Sequence, residues 1–418
     1  MTTGVADPHA ARRAPHPGLG FGAFVVMMAG FMTLNGLAID AMLPALPLIG
    51  ETYGLADPNR RQLVIGAYLI GFGAAQIVFG PLSDRFGRRR PLLGGVAFYA
   101  LCSVVAPFAT SFDALLAVRV AQGAGAAVTR TLTVAIVRDN YSGRRMADVM
   151  SLVLIVFLAA PVLGPLLGQA IMLIASWHVI FVILALLSAA LALWAFARLP
   201  ESLPAEHRLT LSPARIGKAF AEVVTTRRSI GYATAMMLVL GALFGFINSA
   251  QQLFADVFAV PRAFTLVFAA IAGCMALASW LNSRIVGRLG MRRISHAAIL
   301  GFTACSALNL ALALAGAHGL VTFSLLMGAT MFCCGLTVPN FGAMAMEPVG
   351  HIAGTASSVH GCLTTLGGAL IGLWIGQYYD GGAVPLLVAF TALGAAAAGT
   401  VWLTERRPFG AAHGTPPR

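Results

Sequence analysis

Twelve long apolar runs alternate with short polar stretches along the chain: residues 21–46, 62–82, 91–110, 113–136, 149–172, 177–198, 230–256, 263–286, 296–317, 319–343, 353–377 and 384–403. Each has the roughly 20 residues a helix needs to cross about 30 Å of hydrocarbon. The runs are continuous and lack the in-out alternation of a barrel strand, so they predict helices. The first looks like a signal-peptide core, but it passes 20 residues without a small-residue cleavage site, so a retained first helix is expected. The longest polar interruption, 199–229, falls midway. The pattern predicts an all-α membrane protein, with twelve transmembrane helices in two six-helix halves. An N-terminal tail (1–20) precedes the first half (21–198), the linker (199–229), the second half (230–403) and a C-terminal tail (404–418).

Composition narrows the class. Of the 418 residues, 58% are hydrophobic and 10% charged, against about 25% charged in an average soluble domain. A soluble enzyme and a disordered chain are both excluded. The net charge of +12 would suit a nucleic-acid partner if it were clustered. It is not: with the N-terminus inside, 22 of the 27 basic residues fall on one side of the membrane. Three (Arg60, Arg61, Arg262) fall on the other, and Arg119 and Arg130 lie within the fourth segment. That bias predicts cytoplasmic termini and contact with anionic lipid, and no nucleic-acid partner. Cys102, Cys274, Cys305, Cys333, Cys334 and Cys362 sit in apolar runs and read as small hydrophobes. No metal site, cofactor or nucleotide-binding loop is expected, and no coiled coil suggests more than a monomer.

Asp84 to Arg90 read DRFGRRR, and Gly287 to Arg293 read GRLGMRR. The two loops lie 203 residues apart, each after the second helix of its half, with Gly287 in place of Asp84. Two similar halves are a known transporter architecture.

The run Gly80 to Arg90, GPLSDRFGRRR, resembles the loop signature of the major facilitator superfamily. In it Gly80 and Gly87 permit close approach and a tight turn. Asp84 can pair with an arginine or a neighbouring helix terminus, and Arg85, Arg88 and Arg89 supply the charge. The fifth segment carries Ala160-Pro161-Val162-Leu163-Gly164-Pro165-Leu166-Leu167-Gly168-Gln169, similar to the superfamily's antiporter signature. Ala160 and Gln169 replace its first and last glycines. Ala160, Gly164 and Gly168 form a small-residue stripe, and Pro161 and Pro165 permit a bend. Asp40-Ala41-Met42-Leu43-Pro44-Ala45-Leu46-Pro47, Arg119-Val120-Ala121-Gln122-Gly123, Leu199 to Leu203, Pro339-Asn340 and Gly354 to Ser357 are similar to a narrower branch. That branch is the bicyclomycin-resistance and chloramphenicol/florfenicol-exporter group of drug:proton antiporters.

An intramembrane charge costs about 2.5–3.5 kcal/mol on insertion scales and so needs a reason. Asp40 is the only carboxylate well inside a predicted segment. It and Arg119 each stand about 10 Å below the outer surface at 1.5 Å per residue. Arg119, Gln122 and Arg130 share one helix face. Asp40 is therefore expected to couple protons with Arg119 as its partner; a permanent structural ion pair is the competing reading. The resemblance implies that segments 1, 4, 7 and 10 line a central cavity, making Asn35, Gln122, Asn248, Gln251, Gln252, Asn340, Phe244 and Phe246 candidates to meet a small-molecule substrate. Each amide could equally bind helix to helix. The expected activity is proton-coupled export of small amphipathic drugs. A metabolite facilitator or symporter of the same fold is the alternative. A polytopic enzyme or receptor lacks a catalytic constellation or soluble domain to support it.

Overall fold

The computed structural model describes residues 19–208, 213–260 and 263–405. Residues 1–18 and 406–418 of the expected tails, with Arg12, Arg13, Arg406, Arg407 and Arg418, fall outside these residues, as does Arg262. In chain order the helices are α1 (Phe21–Asp40), α2 (Leu46–Thr52), α3 (Leu63–Phe86), α4 (Arg89–Val105), α5 (Phe112–Asn140), α6 (Gly143–Ile174) and α7 (His178–Arg198). Then come α8 (Pro213–Thr225), α9 (Arg227–Gln252), α10 (Phe264–Leu289), α11 (Met291–Leu314), α12 (Leu320–Met346), α13 (Ala353–Gln377) and α14 (Val384–Glu405). Among the described residues there is no strand, and twelve spans are long and apolar enough to cross a membrane. Most outrun the predicted segments: the tenth reaches from Leu320 to Ile352 rather than 319–343.

The first span departs from expectation. It runs from Phe21 to Thr52 but is broken in the middle. α1 stops at Asp40, a 3-10 turn covers Leu43–Ala45, and α2 completes the crossing. Pro44 is the cause. It has no N–H to give the Asp40 carbonyl four residues back, and its ring would clash with that carbonyl. Pro47 repeats the restriction one turn later, in the first turn of α2.

The linker also differs. Within 199–229 the helix α8 forms, and α9 begins at Arg227 rather than at 230. Val223 of α8 is buried with Val349, Ala356 and Val359. Glu222 Oε1 lies 2.7 Å from His351 Nε2.

The duplicated loops adopt the same turn. Gly87 (φ +86°) links α3 to α4, and Gly290 (φ +81°) links α10 to α11. A positive φ suits glycine, which has no Cβ to clash. The arginine-rich loops mark one end of the bundle, here called the basic end.

Between the halves, α3 and α13 pack along their length. A Cβ at Gly66 would lie 2.7 Å from Leu373 Cδ1, one at Gly73 2.6 Å from Leu366 N, and one at Gly80 would strike Ser358 Oγ. Large apolar side chains such as Phe108, Leu173 and Ile174 stand exposed on the rim, as lipid-facing surface requires.

Candidate transport site

Arg119 of α5 is completely buried. Its Nε donates to Val64 O (3.0 Å), Nη1 to Gln122 Oε1 (2.7 Å) and Nη2 to Ala38 O (3.0 Å). The Tyr68 ring lies 4.5 Å from the guanidinium carbon. Ala38 O is accessible because of the break in the first span: the Met42 N–H turns to Ile39 O instead (3.3 Å). A cation at the carbonyl end of a helix is favourable, and here it holds the broken end of α1 in place.

The expected Asp40–Arg119 ion pair is not formed. The guanidinium binds a backbone carbonyl two residues before Asp40. Asp40 is 4% exposed, and among the described residues it has no hydrogen-bond or ion-pair partner. Proline chemistry at the break moved the available acceptor from the carboxylate to the backbone.

The small-residue stripe of α6 lies against this break. A Cβ at Gly164 would sit 2.6 Å from Asp40 Cβ, and one at Gly168 would strike Ala41 O. Ala160 meets Gly36, where an added Cβ would be 2.7 Å from its own. Pro161 and Pro165 lie inside the continuous helix α6. Gln169 hydrogen-bonds Thr265 of α10, so the departure from the signature's last glycine joins the two halves.

At the end opposite the basic loops, amides join the halves. Asn59 Nδ2 donates to Tyr379 O (2.8 Å) and Gln377 O (3.3 Å), and Gln377 Nε2 returns a bond to Asn59 O (2.9 Å). Gln252 Nε2 donates to Asn59 Oδ1 (2.8 Å), and its Oε1 accepts from Gln62.

On the basic side of this seal lies a cavity of about 180 Å³ between α3, α5, α9, α12 and α13. None of the eight residues expected to form the substrate cavity lines it. Asn35 accepts from Tyr68 Oη (2.7 Å). Gln122 joins Arg119 to Ser103 Oγ (2.7 Å). Asn340 donates to Asn282 Oδ1 (2.7 Å). Phe244 packs on α13, where a Cβ at Gly372 would lie 2.6 Å from its own Cβ. The amide of buried Asn248 and the Oε1 of Gln251 have no hydrogen-bond partner among the described residues, so they keep capacity for a ligand or water.

The basic loop is a charge cluster. Arg88 Nη1 donates to Asp84 Oδ1 (2.6 Å) and Ser83 Oγ (2.7 Å), and Nε to Asp139 Oδ2 (3.0 Å). Burial opposes the Arg88 charge, but the two carboxylates outweigh it and hold the guanidinium above its ordinary pKa. Glu201 accepts from the Arg88 and Arg89 amides (2.7 and 3.2 Å). Asp84 also faces the first turn of α13, where a Cβ at Gly354 would stand 3.4 Å from its Oδ2. Arg85 lies over Phe86, its guanidinium carbon 5.5 Å from the ring centre.

With the two duplicated halves, the loop cluster and the glycine-lined fifth span in place, the comparisons decide the matter. The model of the Major Facilitator Superfamily matches residues 19–372. The chain belongs to that superfamily. It is 32% identical to an "Uncharacterized MFS-type transporter YdgK" of Bacillus subtilis, over 85% of this chain and 88% of that one. It is 30% identical to a "Chloramphenicol resistance protein" of Pseudomonas aeruginosa (84% and 82%). It is 28% identical to a "Bicyclomycin resistance protein homolog" of Haemophilus influenzae (87% and 91%). The crystal structure of the human organic anion transporter MFSD10 (TETRAN) shares the fold, with a TM-score of 0.69 at 20% identity over 92% of this chain and 99% of that chain. This major facilitator protein is thus a multi-pass membrane transporter of small molecules and not an enzyme.

In this transporter, sequence reasoning missed the residues around the 180 Å³ cavity, above all Gln76, Arg130 and His360. Arg130 carried a signal: it is the second arginine within the fourth segment, on the face of Arg119.

Proposed function

We propose that this transporter exports small amphipathic drug-like compounds in exchange for protons, by alternating access, from a bacterial inner membrane with both termini in the cytoplasm. The observation that carries the reading is Asp40: a buried carboxylate without a partner, at a helix break, clasped by the glycines of α6. A carboxylate held by no fixed cation can take a proton when its surroundings dry and release it when they wet. Arg119 acts on it indirectly, by fixing the Ala38 carbonyl and so the end of α1. Movement of α6 against the break would change the exposure of Asp40 and the packing of the halves together. Asn248, Gln251, Asn35, Gln122, Asn340 and Phe244 are assigned to the substrate path, with Asn248 and Gln251 as its polar contacts. The loop of Gly80, Asp84, Arg85, Gly87, Arg88 and Arg89 is the latch of the basic end. The resistance proteins among the relatives support export, and 22 of 27 basic residues on one side support the orientation.

The test is chloramphenicol transport in proteoliposomes under an imposed pH gradient. Wild-type protein is expected to move chloramphenicol against the proton flow. Asp40→Asn is expected to abolish gradient-driven movement while keeping gradient-free exchange and a monodisperse elution profile. Full gradient-driven activity in Asp40→Asn would overturn the coupling role. Uptake along the proton gradient would overturn export in favour of a symporter.

A further inference from the structure

The cavity on the basic side of the seal has a distinctive lining. Arg130 enters it from α5, with Gln76 from α3 and His360 and Thr364 from α13. Val134 and Met236 supply apolar wall, and no Asp or Glu is among the residues that line it. Arg130 is half-buried, and its hydrogen bond among the described residues is a long one, Nη1 to Thr365 Oγ1 (3.4 Å). Among the described residues no carboxylate lies within ion-pair distance of its guanidinium, in contrast to Arg88 with two. The neighbouring His360 is occupied, with Nε2 2.8 Å from Ser229 Oγ.

A guanidinium inside a membrane protein is costly unless something compensates it. Its planar fork matches a carboxylate or sulfonate with two parallel bonds. Here the protein supplies the cation, neutral polar neighbours and an apolar wall, and leaves the counter-charge out. The cavity also lies toward the end that carries most of the basic residues, whose field draws anions and repels cations.

We propose that Arg130 binds the anionic headgroup of an amphipathic organic acid, so that the transporter takes aryl carboxylates and similar anions at this cavity. This rests on the export reading for its meaning as a substrate site, but not for its chemistry. At about 180 Å³ the cavity is smaller than the roughly 300–1,000 Å³ of pockets that enclose a whole drug-sized ligand. It fits a headgroup, with the apolar body lying along α9 and α12.

The experiment is equilibrium dialysis of the full-length protein in detergent against 2-naphthoate and 2-naphthamide, two probes of one shape that differ in charge. Wild-type protein is expected to bind naphthoate about tenfold or more tightly than naphthamide. Arg130→Gln is expected to erase that preference and Arg130→Lys to keep part of it. Equal retention of the two probes by the wild type, absence of binding by both included, overturns the proposal whether or not a variant folds. So does a preference that survives in Arg130→Gln. The same preparation in proteoliposomes separates this from the export reading: loss of pH-driven chloramphenicol movement with the anion preference intact strikes the export reading alone.

Discussion

The two halves share a turn and furnish it differently. Gly87 and Gly290 carry nearly the same positive φ at corresponding points of the repeat. Around Gly87 the turn is packed: a Cβ would collide with the Glu201 carboxylate, and Arg88 bridges Asp84 and Asp139. Around Gly290 a Cβ would meet nothing within 4 Å, Gly287 replaces Asp84, and Met291 occupies the position of Arg88. The second half keeps one ion pair there, Arg292 Nε to Glu405 Oε1 at 3.4 Å. The same asymmetry holds inside the membrane. Among the described residues of the spans, the buried Asp, Glu, Lys or Arg residues are in the first half: Asp40 and Arg119. The second half places neutral Asn248, Asn282 and Asn340 in its interior. One fold tolerates both furnishings, so the charges of the first half are not a demand of folding.

The contrast can be broken most forcefully at Arg119. Arg119→Met should leave the acceptors of Ala38 and Gln122 without their donor and remove the bond to the Val64 carbonyl, at about 1–3 kcal/mol for each group left unsatisfied. Asn340→Leu in the second half removes one side-chain partnership and should cost about 1–3 kcal/mol in all. Thermal unfolding of the two purified variants in detergent compares them, and equal loss of stability would remove the claim that the first half depends more on buried charge.

The next contrast is Arg88→Ala against Arg292→Ala. The first leaves Asp84 and Asp139 close together without their shared cation and should cost about 2–3 kcal/mol. The second loses a longer, more exposed pair and should cost less than about 1 kcal/mol. Denaturation midpoints read the difference, and a reversed order would show the duplicated loops to be equally built.

The smallest contrast between the halves is at the turns. Gly290→Ala should cost about 1–2 kcal/mol, the backbone penalty of a positive φ alone. Gly87→Ala should exceed it, because Glu201 must also leave the Arg88 and Arg89 amides. Matched unfolding curves for the two variants would sharpen the contrast; indistinguishable curves would erase it.

Much of the architecture was legible in the chain. Twelve apolar runs became twelve spans, and the repeat at Gly87 and Gly290 became two similar positive-φ turns. The small-residue stripe of Ala160, Gly164 and Gly168 found the close contact its spacing implied. The break after Asp40 was written in Pro44 and Pro47, but it sat inside an apolar run whose hydropathy never falls, and hydropathy alone cannot register a lost N–H. Arg119 was legible as buried and important. Its partner was not, because a backbone carbonyl carries no residue identity. Helical periodicity placed Gln122 on an inward face and the resemblance placed Asn340 on a cavity-lining segment, yet an inward face meets neighbouring helices of its own half before it meets a cavity. Gln122 bonds Ser103 and Asn340 bonds Asn282 for that reason.

The seal at the end away from the basic loops has an electrical consequence. Asn59, Gln62, Gln252 and Gln377 hold it with neutral amides and backbone carbonyls alone. A transmembrane voltage does work only on charge, about 2.3 kcal/mol per elementary charge per 100 mV. Parting these amides moves no charge through the field, so these bonds themselves add no voltage dependence to the opening; only the charged neighbours at this end, Arg61 and Asp256, could. Voltage sensitivity in a transport cycle enters through the ionisable groups that change place or protonation, and the amides of the seal are not among them.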